Sequence, residues 1–419
     1  MMCNMAKTLL LAAVLCGLCP AVQANTTVVG ASASAAPLGQ SIRTAQNDIA
    51  LPPYNPDAAP VTESVPAMPV FGAPARTGTV HMALLLPLRS PALGVAADAV
   101  RAGFLAAHER EKQGVSVTVL DTDGTAADAL AQYGNAVAIS DVVIGPLSRS
   151  EMTAIAHSDA VRKPTIALGP PEMAGDGEMA LPPLMLTVGL SVEEEARQVA
   201  LWMSADQAMR KAFIISTPVA WQRRTAKAFA TQWRASGLDA QAIELDVSDG
   251  FLTPASLLRL KNRMQEENPQ CLFAALDAGL AAQLRLAVGT EIPLYGTSQL
   301  NPLALPDWAS SEGFSDLDGA HLLDIPWQLQ ADHPAVMIYP RPAPGPDQRR
   351  GADLARLYAL GIDAYRIAHE IALNNTLFQL DGVTGKLTIS FDASTKRFER
   401  IEQQAVYQDG KVTPLLEAR

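Results

Sequence analysis

Residues 80–103, VHMALLLPLRSPALGVAADAVRAG, turn an apolar run into a helix-period segment through the corner Pro87-Leu88-Arg89-Ser90-Pro91. Residues 82–86 read as a buried strand. Past the corner, Ala96, Ala97, Val100, Phe104 and Ala107 recur on one side of a helix. A strand fed so tightly into a helix is the first half of a βαβ unit. Its corner lies at the carboxyl end of the strand, where open α/β sheets build their crevices. The alternation then recurs. Strands are expected at 115–120, 141–144, 165–168 and 184–188, with helices ending near 135 and 156. A second array follows, with strands 212–216, 240–245, 272–276 and 293–297 and helices 221–235, 254–267 and 279–287.

Between the arrays, Ser191-Val192-Glu193-Glu194 reads as a capping box, Ser191 and Glu194 satisfying each other's amides. It opens the helix that carries Ala196, Val199, Ala200 and Met203. A long, less regular passage covers 299–350. The helix 352–374 comes next, then strands 386–391 and 403–407, with Asp409-Gly410 supplying a hairpin turn. Two successive βα arrays with a returning helix and a terminal hairpin predict an α/β protein of two doubly wound, Rossmann-like lobes. The chain crosses between them several times at a hinge, leaving an interlobe cleft, as in bilobed periplasmic binding proteins. The expected body is 79–419, with lobe 1 at 79–188 plus 325–380 and lobe 2 at 189–324 plus 381–419.

The first 24 residues set the compartment. Lys7 precedes an apolar run to Leu18, and Val22-Gln23-Ala24 offers a small residue for cleavage after Ala24, the pattern of a secretory signal peptide. The run is too short to span a bilayer comfortably, so no transmembrane span is expected in the mature chain. Leu15 precedes Cys16 and Leu18 precedes Cys19, where lipidation wants a small residue. The lipobox is therefore poor, and export to the periplasm is expected over an outer-membrane lipoprotein. Residues 25–78 are rich in Pro, Ala, Thr and Ser without apolar period and read as an extended linker. Of the 4 cysteines only Cys271 lies beyond the signal segment, in the apolar run Cys271-Leu272-Phe273, so a buried thiol is expected. The formal charge of −11 and the lack of a basic run argue against nucleic acid as a partner. No G-x-S-x-G, H-E-x-x-H or P-loop motif occurs, and the 6 histidines lack metal-ligand spacing. The expectation is no enzyme, no metal and no cofactor.

Several segments together resemble the LpoA family of activators of class A penicillin-binding proteins: GLSVEEEARQVALWM, PLYGTSQLNP, DLDGAHLLDIPW, HPAVMIYPRP, LYALGIDAYRIA and GVTGKL. The resemblance runs from Thr79 to Val412. It implies a non-catalytic protein that docks on a peptidoglycan synthase in the periplasm and raises its activity during cell-wall synthesis. Longer members carry an N-terminal helical-repeat domain, for which 25–78 is too short, and a lipid anchor. The competing reading is a periplasmic solute receptor for an amino acid or related small ligand that feeds an ABC importer.

In amino-acid receptors of this fold the serine matching Ser148 and the helix amides beside it hold a carboxylate. The plainer reading is that Ser148 caps its helix. Arg149 and Ser150 continue that segment. Arg89 and Ser90 at the first corner, and Thr297, Ser298 and Gln299 after the strand 293–297, complete the cleft candidates. Asp121, Asp123 and Asp128 lack the closing ligand of a calcium loop and read as a turn and helix start. Partner-interface candidates are Trp221, Arg223 and Arg224 at a second-lobe helix start, and Trp327 in Asp324-Ile325-Pro326-Trp327. Trp and Arg are favoured at interfaces, although Trp327 also suits core or hinge packing.

Overall fold

The computed structural model describes residues 79–169, 181–301, 315–342, 351–392 and 396–415. The signal segment, its cleavage site and the linker expected before residue 79 lie outside the described residues. All described residues fall within one compact unit.

The first array forms β1 (Val80–Leu86), α1 (Gly94–Arg110), β2 (Val115–Asp121), α2 (Ala126–Ile139), β3 (Val142–Ile144), α3 (Arg149–Ala156), β4 (Thr165–Ala167) and β5 (Met185–Thr187). These strands make a parallel sheet in the order β2-β1-β3-β4-β5. The period-2 alternation of a strand explains its two cores. From β1, Val80, Met82, Leu84 and Leu86 enter one core, while Ala83 and Leu85 enter another on the opposite face with Tyr133 and Met152.

The second array forms α4 (Val192–Ser204), β6 (Lys211–Ser216), α5 (Ala220–Ala235), β7 (Asp239–Glu244), β8 (Val247–Ser248), β9 (Phe251–Leu252), α6 (Pro254–Glu267), β10 (Cys271–Ala274), α7 (Ala278–Val288), β11 (Leu294–Gly296) and β12 (His321–Asp324). Strands β7-β6-β10-β11-β12 run parallel in the same relative order as the first sheet. Here too the faces alternate. Ala212 and Ile214 join a core with Trp233, and Phe213 and Ile215 join the one with Leu280 and Leu284. Both lobes are therefore doubly wound, as expected from the sequence. Cys271 is free and fully buried.

After β12 the chain returns through α8 (Pro326–Leu329), α9 (Pro334–Met337) and α10 (Gly351–Ala372), then β13 (Leu377–Asp381), β14 (Lys386–Phe391) and β15 (Lys396–Ile401). It ends in β16 (Gln403–Gln408) and β17 (Lys411–Pro414), which add antiparallel to β12 at the edge of the second sheet. Helix α10 packs along α1, and glycine makes that approach feasible. A Cβ on Gly103 would sit 1.9 Å from the Tyr358 carbonyl oxygen, and one on Gly361 would sit 2.1 Å from that of Val100.

Two sequence expectations need correction here. The expected second lobe includes 381–419, but β13, β14 and β15 form a separate antiparallel sheet, and Leu387, Ile389 and Phe391 enter the first lobe's core. Only from Gln403 does the chain rejoin the second sheet. The capping box is half made: Ser191 Oγ accepts from the Glu194 amide, whereas the Glu194 carboxylate pairs with Arg197.

Candidate functional site

In a doubly wound sheet the crevice opens at the carboxyl ends of the strands where the order reverses. In the first lobe that point lies between β1 and β3. The loops there are 87–93 and 145–148, so the corner with Arg89 and Ser90 and the segment at Ser148 share one edge. What fills this edge is the chain itself. Arg89 contacts Asp121 at 3.0 Å and Asp128 at 2.6 Å. Asp128 also accepts from the Asp123 amide, and Thr125 caps α2 through the Asp128 amide. The acidic loop is thus organised by an arginine and an N-cap, as a turn and helix start. Hydrogen bonds from the Thr125 hydroxyl and amide hold the Asp123 carboxyl below its ordinary range. Ser90 Oγ accepts from the Leu93 amide.

Ser148 occupies the N-cap position of α3, but its hydroxyl makes no capping bond and pairs with Ser150 Oγ at 2.9 Å. The expected side-chain cap is therefore absent. The helix start is served from within by Glu151, which is 0% exposed and accepts from Thr122 Oγ1 at 2.5 Å. Burial raises the Glu151 carboxyl above its ordinary range, against the stabilising Thr122 hydroxyl and Ser148 amide. A buried carboxyl of the chain itself thus takes up the Ser148 amide at the helix start. Arg149 and Ser150 are exposed beside it.

Thr297, Ser298 and Gln299 follow β11 in the second lobe. Thr297 and Ser298 are buried, 0% and 2% exposed. Thr297 caps the turn that follows through the Gln299 amide, and Gln299 itself is half-buried. The Ser298 amide donates to Glu195 Oε2 at 2.9 Å, and its carbonyl accepts from Arg356 Nη2 at 3.3 Å. They belong to the hinge. Asp324, at the end of β12, accepts from Arg356 Nη2 at 2.7 Å and Nε at 3.1 Å, and from Asn301 Nδ2 at 2.7 Å. Three residues on, Trp327 is fully buried in the first lobe's core, tilted against Tyr358 with the Arg341 guanidinium 4.3 Å above its ring. It cannot serve as a partner contact, because no part of it meets solvent.

The other interface candidates lie at the start of α5. Trp221 is half-buried, and Arg223 and Arg224 are exposed. Both arginines carry partners: Arg223 grips Glu244 through Nε and Nη2 at 2.6 and 2.9 Å, and Arg224 meets Glu193 at 2.8 Å. The first pair holds the Glu244 carboxyl below its usual range. Arg223 and Glu244 line an open depression of about 400 Å³ with Ser216 and Arg234.

The sequence reading missed the buried acids and bases beside Ser298 and Asp324. Glu195, Arg356, Arg400 and Glu402 are at most 7% exposed. The usable signal was weak: Glu195 directly precedes Ala196 and Val199, which face the core. Among the described residues no His, Cys, Asp and Glu cluster could hold a metal ion, and no helix is long and apolar enough to cross a membrane.

The segments that carry the LpoA resemblance meet in space. Asp363 of LYALGIDAYRIA accepts from the Val383 and Thr384 amides and the Thr384 hydroxyl of GVTGKL. Asp324 of DIPW meets Asn301 of PLYGTSQLNP. Comparison with known proteins agrees with the fold and the resemblance. Penicillin-binding protein activator LpoA of Yersinia pseudotuberculosis is 25% identical over 448 residues, covering 87% of this chain and 64% of that protein. LpoA of Vibrio cholerae is also 25% identical, covering 76% and 55%. The chain thus spans between about half and just under two-thirds of the length of these relatives. Among solved structures, the C-domain of Haemophilus influenzae LpoA, described as a regulator of PBP1A, superposes with a TM-score of 0.62 at 22% identity, over 80% of this chain and 100% of that one. A protein from Chromobacterium violaceum, described as a putative branched-chain amino acid ABC transporter, gives a TM-score of 0.63 at 34% identity, over 78% and 100%. The family model described as LppC putative lipoprotein matches residues 73–286 and 281–410, which is most of the chain. The chain belongs to the LppC family and has a type I periplasmic-binding-like fold.

Proposed function

We propose that this chain is a non-catalytic periplasmic regulator that docks on a class A penicillin-binding protein and raises its peptidoglycan synthesis. The observation that carries this reading is the alignment, along 87% of the chain, with relatives named as penicillin-binding protein activators. The chain's own use of its crevice supports it. Arg89 is tied to two aspartates, the α3 start is served by Glu151, and Ser298 is enclosed in the hinge. The start of α5, with Trp221, Arg223 and Arg224, is the partner-facing candidate.

The test adds the chain from residue 25 onward to a purified class A synthase and follows glycan polymerisation and crosslinking with saturable binding. Stimulation with binding is expected, and Trp221→Ala should weaken binding while leaving the melting temperature in place. A chain that neither binds nor stimulates removes the proposal. The receptor reading draws on the 34% identity to the protein described as an amino acid transporter. It requires a rise in Tm with free amino acids, since a ligand held by the folded state must stabilise it. A Tm unmoved by amino acids speaks against it.

A further inference from the structure

The chain passes between its lobes at three places: β5 to α4, β12 to α8, and β15 to β16. One buried cluster touches all three. Asp324 stands on the second crossing, gripped by Arg356 of α10. Arg400, at the end of β15, donates through Nη1 to the Gly189 carbonyl on the first crossing at 3.1 Å. Its Nη2 lies 2.7 Å from Glu402 Oε1 and 3.9 Å from Glu195 Oε1. Glu402, on the third crossing, sends its amide to Gln198 Oε1 of α4 at 3.1 Å.

The charges do not balance. Glu195, Asp324 and Glu402 face Arg356 and Arg400, and all five are at most 7% exposed. Asp353, the remaining nearby acid, lies 3.4 Å from Arg356 on the exposed side of α10. Both Glu402 carboxyl oxygens are buried; Oε2 has no hydrogen-bond partner among the described residues, and Oε1 meets the Arg400 guanidinium as an ion pair only. Ionised, Glu402 makes three buried carboxylates against two guanidiniums, which is costly, whereas its protonated form leaves two against two.

We propose that this cluster is a proton-operated latch on the angle between the lobes. With Glu402 protonated its charges balance and the three crossings are held together; with Glu402 ionised the surplus negative charge pushes them apart. The groups facing Glu402 are Arg400 from β15, Glu195 from α4, Asp324 from β12 and Arg356 from α10. Burial, against the pull of Arg400, raises its carboxyl well above the ordinary range, with Glu195 and Asp324 adding to the rise. An acid raised in the folded state supports folding while protonated and loses that support as pH climbs through its folded value. The latch therefore weakens toward alkaline pH. This inference concerns the hinge and holds whichever partner docks.

The test uses the chain from residue 25 onward, spin-labelled at Val95→Cys on α1 and Leu286→Cys on α7. Both positions are exposed, and Cys271 is buried. Interlobe distances by electron double resonance and Tm are read at about pH 6 and pH 9. In the wild type the distance distribution should shift or broaden at the higher pH and Tm should fall by about 2–4 °C. Glu402→Gln should keep the low-pH distribution at both values and abolish most of the fall in Tm. Arg400→Met, which strips the cluster of a cation, should part the lobes even at low pH. Should that variant fail to fold, the Glu402→Gln comparison alone decides. A wild type indifferent to pH, or a Glu402→Gln protein with an unchanged pH response, overturns the latch.

Discussion

Replacing Arg356 by Met tests how strongly the hinge depends on a charge pair. Arg356 is 6% exposed and Asp324 0%, and the guanidinium grips the carboxylate through Nη2 at 2.7 Å and Nε at 3.1 Å. Met keeps most of the apolar stem, so the loss is mainly electrostatic. Asp324 would retain donors from Asn301 at 2.7 Å and the Ile325 amide at 2.8 Å, but its charge would have no counterion at that spot. Two unit charges about 4 Å apart interact by roughly 4 kcal/mol at an effective dielectric of 20. Breaking a buried pair by removing one partner costs about 3–5 kcal/mol. The two routes agree, so Arg356→Met should lose about 3–5 kcal/mol.

Asp324→Asn in the same chain should recover much of that loss. The amide oxygen still accepts from the Ile325 amide, and no lone charge remains. The double variant should lose about 2–3 kcal/mol less than the sum of the two single losses, the coupling expected of groups in direct contact. Urea unfolding followed by circular dichroism measures all four proteins at one pH. A single-variant loss below about 1 kcal/mol, or strictly additive losses, would mean that the pair does not hold the hinge.

Three further outcomes follow from the packing. Gly361→Ala must push α1 from α10, since the new methyl would lie 2.1 Å from the Val100 carbonyl oxygen; a loss of about 2 kcal/mol or more is expected in the same unfolding assay. Glu151→Gln keeps an acceptor for Thr122 and removes a carboxyl whose ordinary range is exceeded in the fold. By the linkage sign for a raised acid, the variant should be the more stable protein at neutral pH, and the gap should close as pH falls below the ordinary carboxylate range. Cys271 is fully buried with its thiol pushed up to about 12, so it should resist alkylation at pH 8 until denaturant is added.

The doubly wound lobes could be read from the sequence because their strands are buried on both faces and so run apolar without interruption, as LLL and AFIIS do. The strands that went unread are of another kind. His321-Leu-Leu-Asp is short and ends in a buried aspartate whose counterion lies 32 residues away on α10. Lys396-Arg-Phe-Glu-Arg-Ile lies at the edge of a small antiparallel sheet with Arg397 and Glu399 outward, and its Arg400 turns inward to the hinge. The alternation of charge there mimics a solvated turn. That the loops at Arg89 and Ser148 follow strands β1 and β3 is legible, because position at a strand's carboxyl end follows from topology. Their occupants were not legible, since Glu151 looks like any acidic residue in a helix's first turn. The hinge cluster draws on residues from 195 to 402, a separation that no local pattern reports.

That separation bears on how two lobes would serve the docking role proposed above. A receptor that opens and closes on its ligand needs two interlobe states only a few kcal/mol apart, so that differential binding can tip the balance. Here Arg356 reaches from the first lobe to Asp324 and the Ser298 carbonyl, and Arg400 reaches to the Gly189 carbonyl. Motion about the crossings must disturb these contacts or carry them along, and a lost contact leaves a charge buried. A large enzyme resting on both lobes would meet a surface whose shape is only as constant as that hinge. The geometry therefore suits recognition by a partner that reads a fixed shape, and it makes the hinge the place where such recognition can be tuned without touching the surface itself.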